Sequence, residues 1–323
     1  MVLLGLLVAT AIAVVYLRDL FAVVMLFGIY SLLSAGFFIN LDAPDVALTE
    51  AAVGAGITTV LMLGTLALTG RTEKKSSHSV LLPLVVVSVT GAALIYGTLD
   101  MPHFADPDAP VHRHVAPRYI QDSMQETGLP NIVTSVLASY RGYDTLGEVF
   151  VIFTAGIGVL TLLGVFSRGG KTQSQPVAMQ HHTVLRVITK ALVPLILLYA
   201  LYVQFHGDFS PGGGFQAGVI FASAFILYTM IFSLDVAHRI ISPGVLRLLM
   251  ATGALLYGGV GVVSLLMGGN FLDYNVLSQD PVHGQHLGIL LVELGVGICV
   301  ASVMISVFFT FTGRSIRHTG KDR

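Results

Sequence analysis

Charge is what this chain has least of. Only 11% of its 323 residues are charged, against 54% hydrophobic, and mean hydropathy is +0.81. A water-soluble domain carries roughly 25% charged residues, so that class is excluded and an all-α, polytopic integral membrane protein is expected. Cysteine is nearly absent as well. Cys299 stands alone inside the last apolar run, which excludes an intrachain disulfide and a thiolate-held iron–sulfur cluster and leaves the residue as packing filler. The formal net charge of −1 comes with no basic stripe, so no nucleic-acid partner is expected. No Gly-x-x-x-x-Gly-Lys-Ser/Thr pattern follows a strand, so the run Pro211-Gly212-Gly213-Gly214-Phe215 reads as a tight capping or re-entrant turn instead of a phosphate cradle. Clusters of histidine and carboxylate at ligand spacing are missing too. His103, His112 and His114 share a polar stretch, but Arg113 separates two of them and no carboxylate or thiolate at ligand spacing accompanies them. Neither a metal nor a redox cofactor is expected.

What the chain does have is long apolar runs. Val2 to Leu17 falls short of the ~20 residues that a spanning helix needs, has no basic segment or cleavage site, and reads as a retained first span. Further spans follow at Leu20 to Ile39, Val46 to Leu68, Ser79 to Thr98, Thr145 to Phe166, Val184 to Phe205, Phe215 to Leu234, Val245 to Met267 and Leu287 to Phe311, making nine. Leu99 to Leu129 carries Pro102, Pro107, Pro110 and Pro117 and should be irregular and solvent-facing. Pro130 to Tyr140 places Ile132, Val133, Val136, Leu137 and Tyr140 on one helical face. At that length it suits the membrane interface. Ser167 to Pro176 is polar, basic and glycine-containing, and reads as a linker between modules.

Lysine and arginine set the orientation. If loops alternate sides, one side receives Arg18, Arg71, Lys74, Lys75, Arg168, Lys171, Arg186, Lys190, Arg239, Arg247, Arg314, Arg317, Lys321 and Arg323, which is 14 of the 17 basic residues. Arg113, Arg118 and Arg141 fall opposite. The first side is therefore expected to be cytoplasmic, with the N-terminus outside and the C-terminus inside.

Three carboxylates lie inside apolar runs, where a charge costs roughly 2.5–3.5 kcal/mol on insertion scales and so points to function. Counted from the expected outer helix ends, Glu50 is four residues in, Glu148 three and Glu293 six. These positions put them in one layer roughly 5–9 Å below the outer surface, the arrangement that an ion or proton path needs. Carboxylates also cap helix N-termini without further role, because the dipole favours negative charge there. Lys190 lies near the cytoplasmic end of its span as a candidate partner on the path, and snorkelling is its alternative. His283 and His286 precede Glu293 as a possible outer proton relay. Glu148 ranks first, because Thr154, Gly156 and Gly158 below it extend a polar route. Glu50 ranks next, with Gly54, Gly56, Thr58 and Thr59 below it, and Glu293 last.

The stretch from His181 to Phe311, with Leu185-Arg-Val, Phe205-His-Gly-Asp-Phe-Ser-Pro-Gly-Gly-Gly-Phe-Gln-Ala-Gly218 and Leu291-Val-Glu-Leu-Gly-Val-Gly297, resembles the B subunit of Mrp-type multisubunit cation/proton antiporters (MnhB-like). Asp42-Ala-Pro-Asp-Val-Ala-Leu-Thr-Glu50 and Arg141-Gly-Tyr-Asp-Thr-Leu-Gly-Glu148 resemble the C-terminal extension of the antiporter A subunit. In related membrane-bound hydrogenases those segments form separate small subunits (MbhD-like and MbhE-like). The resemblance implies three parts: residues 1–98, a four-helix MbhD-like module with the start of an MbhE-like one; 99–170, the outer loop, interfacial helix and fifth span; and 171–323, a four-helix B-subunit module. It implies a non-enzymatic, channel-forming subunit of a Na⁺/H⁺ antiporter in the cell membrane, moving H⁺ and Na⁺ without a cofactor. Its partners would be the bilayer and the antiporter-like A and D subunits with C, E, F and G. By position it assigns ion transfer to Glu50 and Glu148, and it places Glu293 where many B subunits carry aspartate. Alternatives are the counterpart subunit of a complex-I-like hydrogenase or oxidoreductase, or a passive scaffold in such a complex.

Overall fold

The computed structural model describes residues 1–67, 69–73, 80–163 and 182–319, with side chains as far as Gly313. The expected linker Ser167 to Pro176, together with Lys74, Lys75, Arg168, Lys171, Lys321 and Arg323, lies outside the described residues, as do the side chains of Arg314 and Arg317. All named elements among the described residues are helical, and the sole β feature is an isolated bridge between Asp19 and Thr72. In chain order the long helices are α1 (Val2–Tyr16), α2 (Leu20–Asn40), α3 (Pro44–Leu66), α4 (Leu81–Thr98), α5 (Gly142–Leu162), α6 (Thr183–His206), α7 (Gly214–Phe232), α8 (Pro243–Leu266) and α9 (Pro281–Thr319). Eight are long and apolar enough to cross a membrane, while α1 is apolar but shorter, at 15 residues.

Capping residues set the ends of these helices. Asp19 Oδ1 accepts hydrogen bonds from the backbone N–H groups of Phe21 and Ala22 at the start of α2, and the same carboxylate pairs with Arg71 at 3.1 Å. That ion pair puts the α1–α2 turn and the segment after α3 at one end of the bundle. Helix α9 begins six residues before the expected Leu287, because Pro281 fits the first helical turn and Asp280 Oδ1 accepts from Val282 N–H. Its first two turns are polar, so hydropathy alone misses them. The stretch expected to be irregular between α4 and residue 130 contains short helices at Pro110–Arg113, Ala116–Gln121 and Ser123–Thr127. Prolines occupy the first turns of two of them, and Ser123, Thr127 and Leu129 are buried.

Helix α9 is the axis of the C-terminal half, packed along α7 and α8 and reaching α5. Close approach comes from glycine. A Cβ on Gly253 of α8 would meet the Gly295 carbonyl and the Cys299 backbone at 2.6 Å, and one on Gly156 of α5 would meet Val303 at 3.1 Å. Small residues at such crossings replace the hydrophobic drive that lipid removes. Two buried tyrosines tie the segment before α5 to this half: Tyr257 Oη donates to the Gly142 carbonyl at 2.8 Å, and Tyr274 Oη to the Ala138 carbonyl at 2.9 Å.

Candidate functional site

The site is built at the starts of α3, α5 and α7 against α9, in which Glu293 lies twelve residues after Pro281 and not six from the helix start as expected. The α6–α7 turn folds back on its own helix: Gly213, with φ +105°, donates its N–H to the Val203 carbonyl at 3.0 Å. A Cβ on Gly207 would lie 2.8 Å from the Gly213 nitrogen, so the two chain segments touch through bare backbone. Asn131 pins the turn from outside. Its side-chain amide donates to the carbonyls of Gly207 at 3.0 Å and Ser210 at 3.2 Å, and Thr134 Oγ1 donates to Gly207 at 2.7 Å. Gly214 then opens α7 directly against the Glu293 carbonyl of α9, with no room for a side chain.

Between these elements lies a cavity of about 290 Å³. Glu148 and Glu293 both line it, together with Asp45, Thr49, Gln216, Tyr257 and the glycines 212–214. Glu293 is half-buried and Glu148 is exposed within the single chain. Among the described residues neither carboxylate makes a hydrogen bond or an ion pair.

Two helical irregularities border it. Residues Ala51–Thr58 of α3 and Ser135–Tyr140 before α5 are wound as π-helix, a widened turn that occurs frequently at functional sites. Thr59 Oγ1 donates to the Gly54 carbonyl five residues back at 3.1 Å.

The cavity includes Asp45 and Thr49 but not Glu50. Asp45 and Thr49 are one turn apart and share a face, whereas Glu50 is turned about 100° away. The Glu50 side chain instead lies over Gly54 beside Ser31 of α2: a Cβ on Gly54 would meet its Oε1 at 2.9 Å. Asp45 is buried and Asn131 Nδ2 donates to it at 3.5 Å. The span expected from Val46 to Leu68 starts one residue after Asp45 and passes over it. The usable signal was its four-residue spacing to Thr49.

Lys190 is exposed and lies sixteen residues before the end of α6, roughly 24 Å from the cavity end of that helix. It does not line the cavity. His286 Nε2 meets Asp208 Oδ2 of the α6–α7 turn at 2.8 Å, just outside the cavity. His283 pairs only with Asp280, at 3.4 Å, and is largely exposed. Pro211, Gly212, Gly213, Gly214 and Phe215 form the capping turn itself, and the last four of them line the cavity.

Comparison with known proteins fits this architecture. Residues 184–306 match the family described as a domain related to the MnhB subunit of Na⁺/H⁺ antiporter. A Staphylococcus aureus (strain Newman) protein named as antiporter subunit mnhB2 is 36% identical over 137 residues, which is 42% of this chain and 96% of that protein. The chain belongs to the MnhB family. The same identity and coverage recur in strain COL. Ahead of this MnhB region, residues 5–71 match the MbhD family and residues 82–181 the MbhE family, both described as MBH subunits. The Mrp complex from Dietzia sp. DQ12-45-1b contains a chain that superposes on 96% of this MnhB-family protein with TM-score 0.75 and 27% identity. This chain spans 34% of that one, about a third of its length. An archaeal respiratory complex, the membrane-bound sulfane sulfur reductase, has a chain matching 72% of this one with TM-score 0.55 and 29% identity, and 97% of that chain is covered. The protein is thus a multi-pass, all-α membrane protein, an MnhB-like part fused to MbhD- and MbhE-like parts.

Proposed function

We propose that this MnhB-family chain is a path-forming membrane subunit of an Mrp-type Na⁺/H⁺ antiporter, working with the other subunits of that complex by secondary active exchange. One observation carries the reading: Glu148 and Glu293, from helices separated by the whole MbhE–MnhB junction, open onto one cavity with Asp45. Unpaired carboxylates at membrane depth are costly unless they exchange protons or cations. In this reading Glu148 and Glu293 are the primary groups, Asp45 joins them, and Glu50 serves a neighbouring step on the Ser31 side of α3. Lys190 belongs to the inner half of the path, and His286 with Asp208 stands at the outer mouth. The N-terminus is assigned outside and the C-terminus to the cytoplasm, and the transported species are H⁺ and Na⁺, with no bound cofactor. The parts 1–98, 99–170 and 171–323 remain our division of the chain, with α4 at the start of the MbhE-like segment.

The counterpart reading, a subunit of a hydrogenase- or reductase-type respiratory complex, draws on the MBH matches and the sulfane sulfur reductase likeness. The antiporter reading is better supported, because the Mrp chain matches more of this protein and with the higher TM-score at similar identity. Purification of the native complex decides between them. Copurifying antiporter-like subunits without metal-cluster subunits support the antiporter, and copurifying iron–sulfur or nickel–iron subunits would overturn it.

A further inference from the structure

One helical turn below Glu293 lies a buried polar side chain with an unpaired amide nitrogen. From Ala191 to Val203, α6 carries no charged, amide or hydroxyl side chain except two tyrosines, and then places Gln204 in its last turn. Gln204 is only 6% exposed, yet its amide nitrogen is buried with no hydrogen-bond partner, and its carboxamide makes no hydrogen bond among the described residues. That amide lies against α9 at Gly297, where a Cβ would come within 2.6 Å of the Gln204 oxygen. Gly297 is one turn below Glu293. The carbonyl of Gly214 faces the same spot, 3.2 Å from the position of that Cβ. An unpaired amide, an unpaired carboxylate one turn away and a backbone carbonyl beside them supply the two to four polar partners by which an internal water is held.

We infer that Gln204 is a positioning residue that holds an ordered water against Glu293, one helical turn below the cavity between α6, α7 and α9. The role rests on the proton-path reading given above. Gln204 does not itself titrate; its amide donates to the water, leaving the water's hydrogens to face acceptors such as the Glu293 carboxylate or the Gly214 carbonyl. The water donates to the Glu293 carboxylate when that group is ionised and accepts from it when it is protonated, so it stays bound while Glu293 gives its proton to the cavity and takes one back. Gly297 is required because any side chain there would displace the amide.

The test uses the assembled complex in everted vesicles. Gln204→Met keeps length and removes both polar atoms. It should lower the maximal antiport rate about threefold to tenfold, the size expected for one lost hydrogen bond in the rate-setting step. Apparent Na⁺ affinity and the amount of complex should stay unchanged, and Gln204→Glu should restore most of the rate. A density map resolving ordered water should show one between Gln204 and Glu293. A wild-type maximal rate in Gln204→Met, a loss in strict proportion to assembled complex, or an empty map position at that site would each overturn the inference. Glu293→Gln, run in parallel, separates the two levels. If it abolishes antiport while Gln204→Met is normal, only the role of Gln204 fails; if it retains full antiport, the Glu293 path fails and the inference goes with it.

Discussion

Thr49 and Gln216, 167 residues apart in sequence, are joined across the cavity by a 2.8 Å hydrogen bond from Gln216 Nε2 to Thr49 Oγ1. Thr49 in turn donates to the Asp45 carbonyl one turn back. This bond connects the MbhD-like and MnhB-like parts at the level of the carboxylates. Thr49→Val and Gln216→Leu should each cost about 1 kcal/mol. The double variant should cost no more than either single change, because both remove the same interaction. A denaturant titration of the purified complex reads this non-additivity, and fully additive losses would mean that the bond is not formed.

The α7–α9 crossing depends on bare backbone. A Cβ at Gly214 would overlap the Glu293 carbonyl and lie 3.0 Å from the Gly297 nitrogen, so Gly214→Val should prevent the two helices from seating. The amount of this chain in membranes, followed by immunoblot, should fall severalfold. Gly64 of α3 has nothing within 4 Å of its Cβ position, and Gly64→Ala should leave expression unchanged. Equal expression of the Gly214 variant would contradict the packing.

Tyr257 and Tyr274 act from inside the core. Burial holds both hydroxyls together with the backbone carbonyls they serve. Each change to Phe removes one hydrogen bond to a backbone carbonyl in the core and should destabilise by about 0.6–1.5 kcal/mol, lowering the thermal midpoint of the complex. Na⁺ affinity should be untouched in Tyr274→Phe, since Tyr274 does not line the cavity.

Outside the membrane, Glu126 offers a pH test. Its carboxyl is held below the ordinary value of 4.5, first by a hydrogen bond from Tyr140 and then by one from Arg118. A carboxyl whose folded pKa is depressed contributes stability that is present above about 4.5 and is lost as pH falls through the folded value. The difference in thermal midpoint between wild type and Tyr140→Phe should therefore be present at pH 7 and shrink once pH drops below 4.5. A difference that grows on acidification would reverse the sign and defeat the assignment.

Much of this architecture can be read from the chain without coordinates, for a physical reason. Lipid forces backbone polar groups into helices, so each apolar run of sufficient length announces a span. Helix ends were less legible. The start of α9 hides in His283, Gln285 and His286, because hydropathy scores a polar first turn as loop. Glu148 and Glu293 could be nominated from charge in an apolar run, but the partition of α3 could not. Whether Asp45 or Glu50 meets the cavity depends on helix azimuth at Pro44 and on the π-turn that follows, and neither is encoded in composition. Gln204 was invisible for a different reason: an amide two residues from a helix end reads as an ordinary cap until its isolation inside three helices is known.

On the proposed path Glu148, which opens on the cavity shared with Glu293, is the carboxylate whose loss is expected to matter most. Glu148→Gln keeps the shape and one acceptor while removing the charge. The most direct measurement is collapse of ΔpH on Na⁺ addition to everted vesicles, normalised to the assembled complex. Antiport should be abolished or strongly reduced in Glu148→Gln with complex near wild-type levels, and partly retained in Glu148→Asp. Full antiport in Glu148→Gln would reduce this carboxylate to a helix cap, and a loss tracking only the amount of complex would make the chain a scaffold.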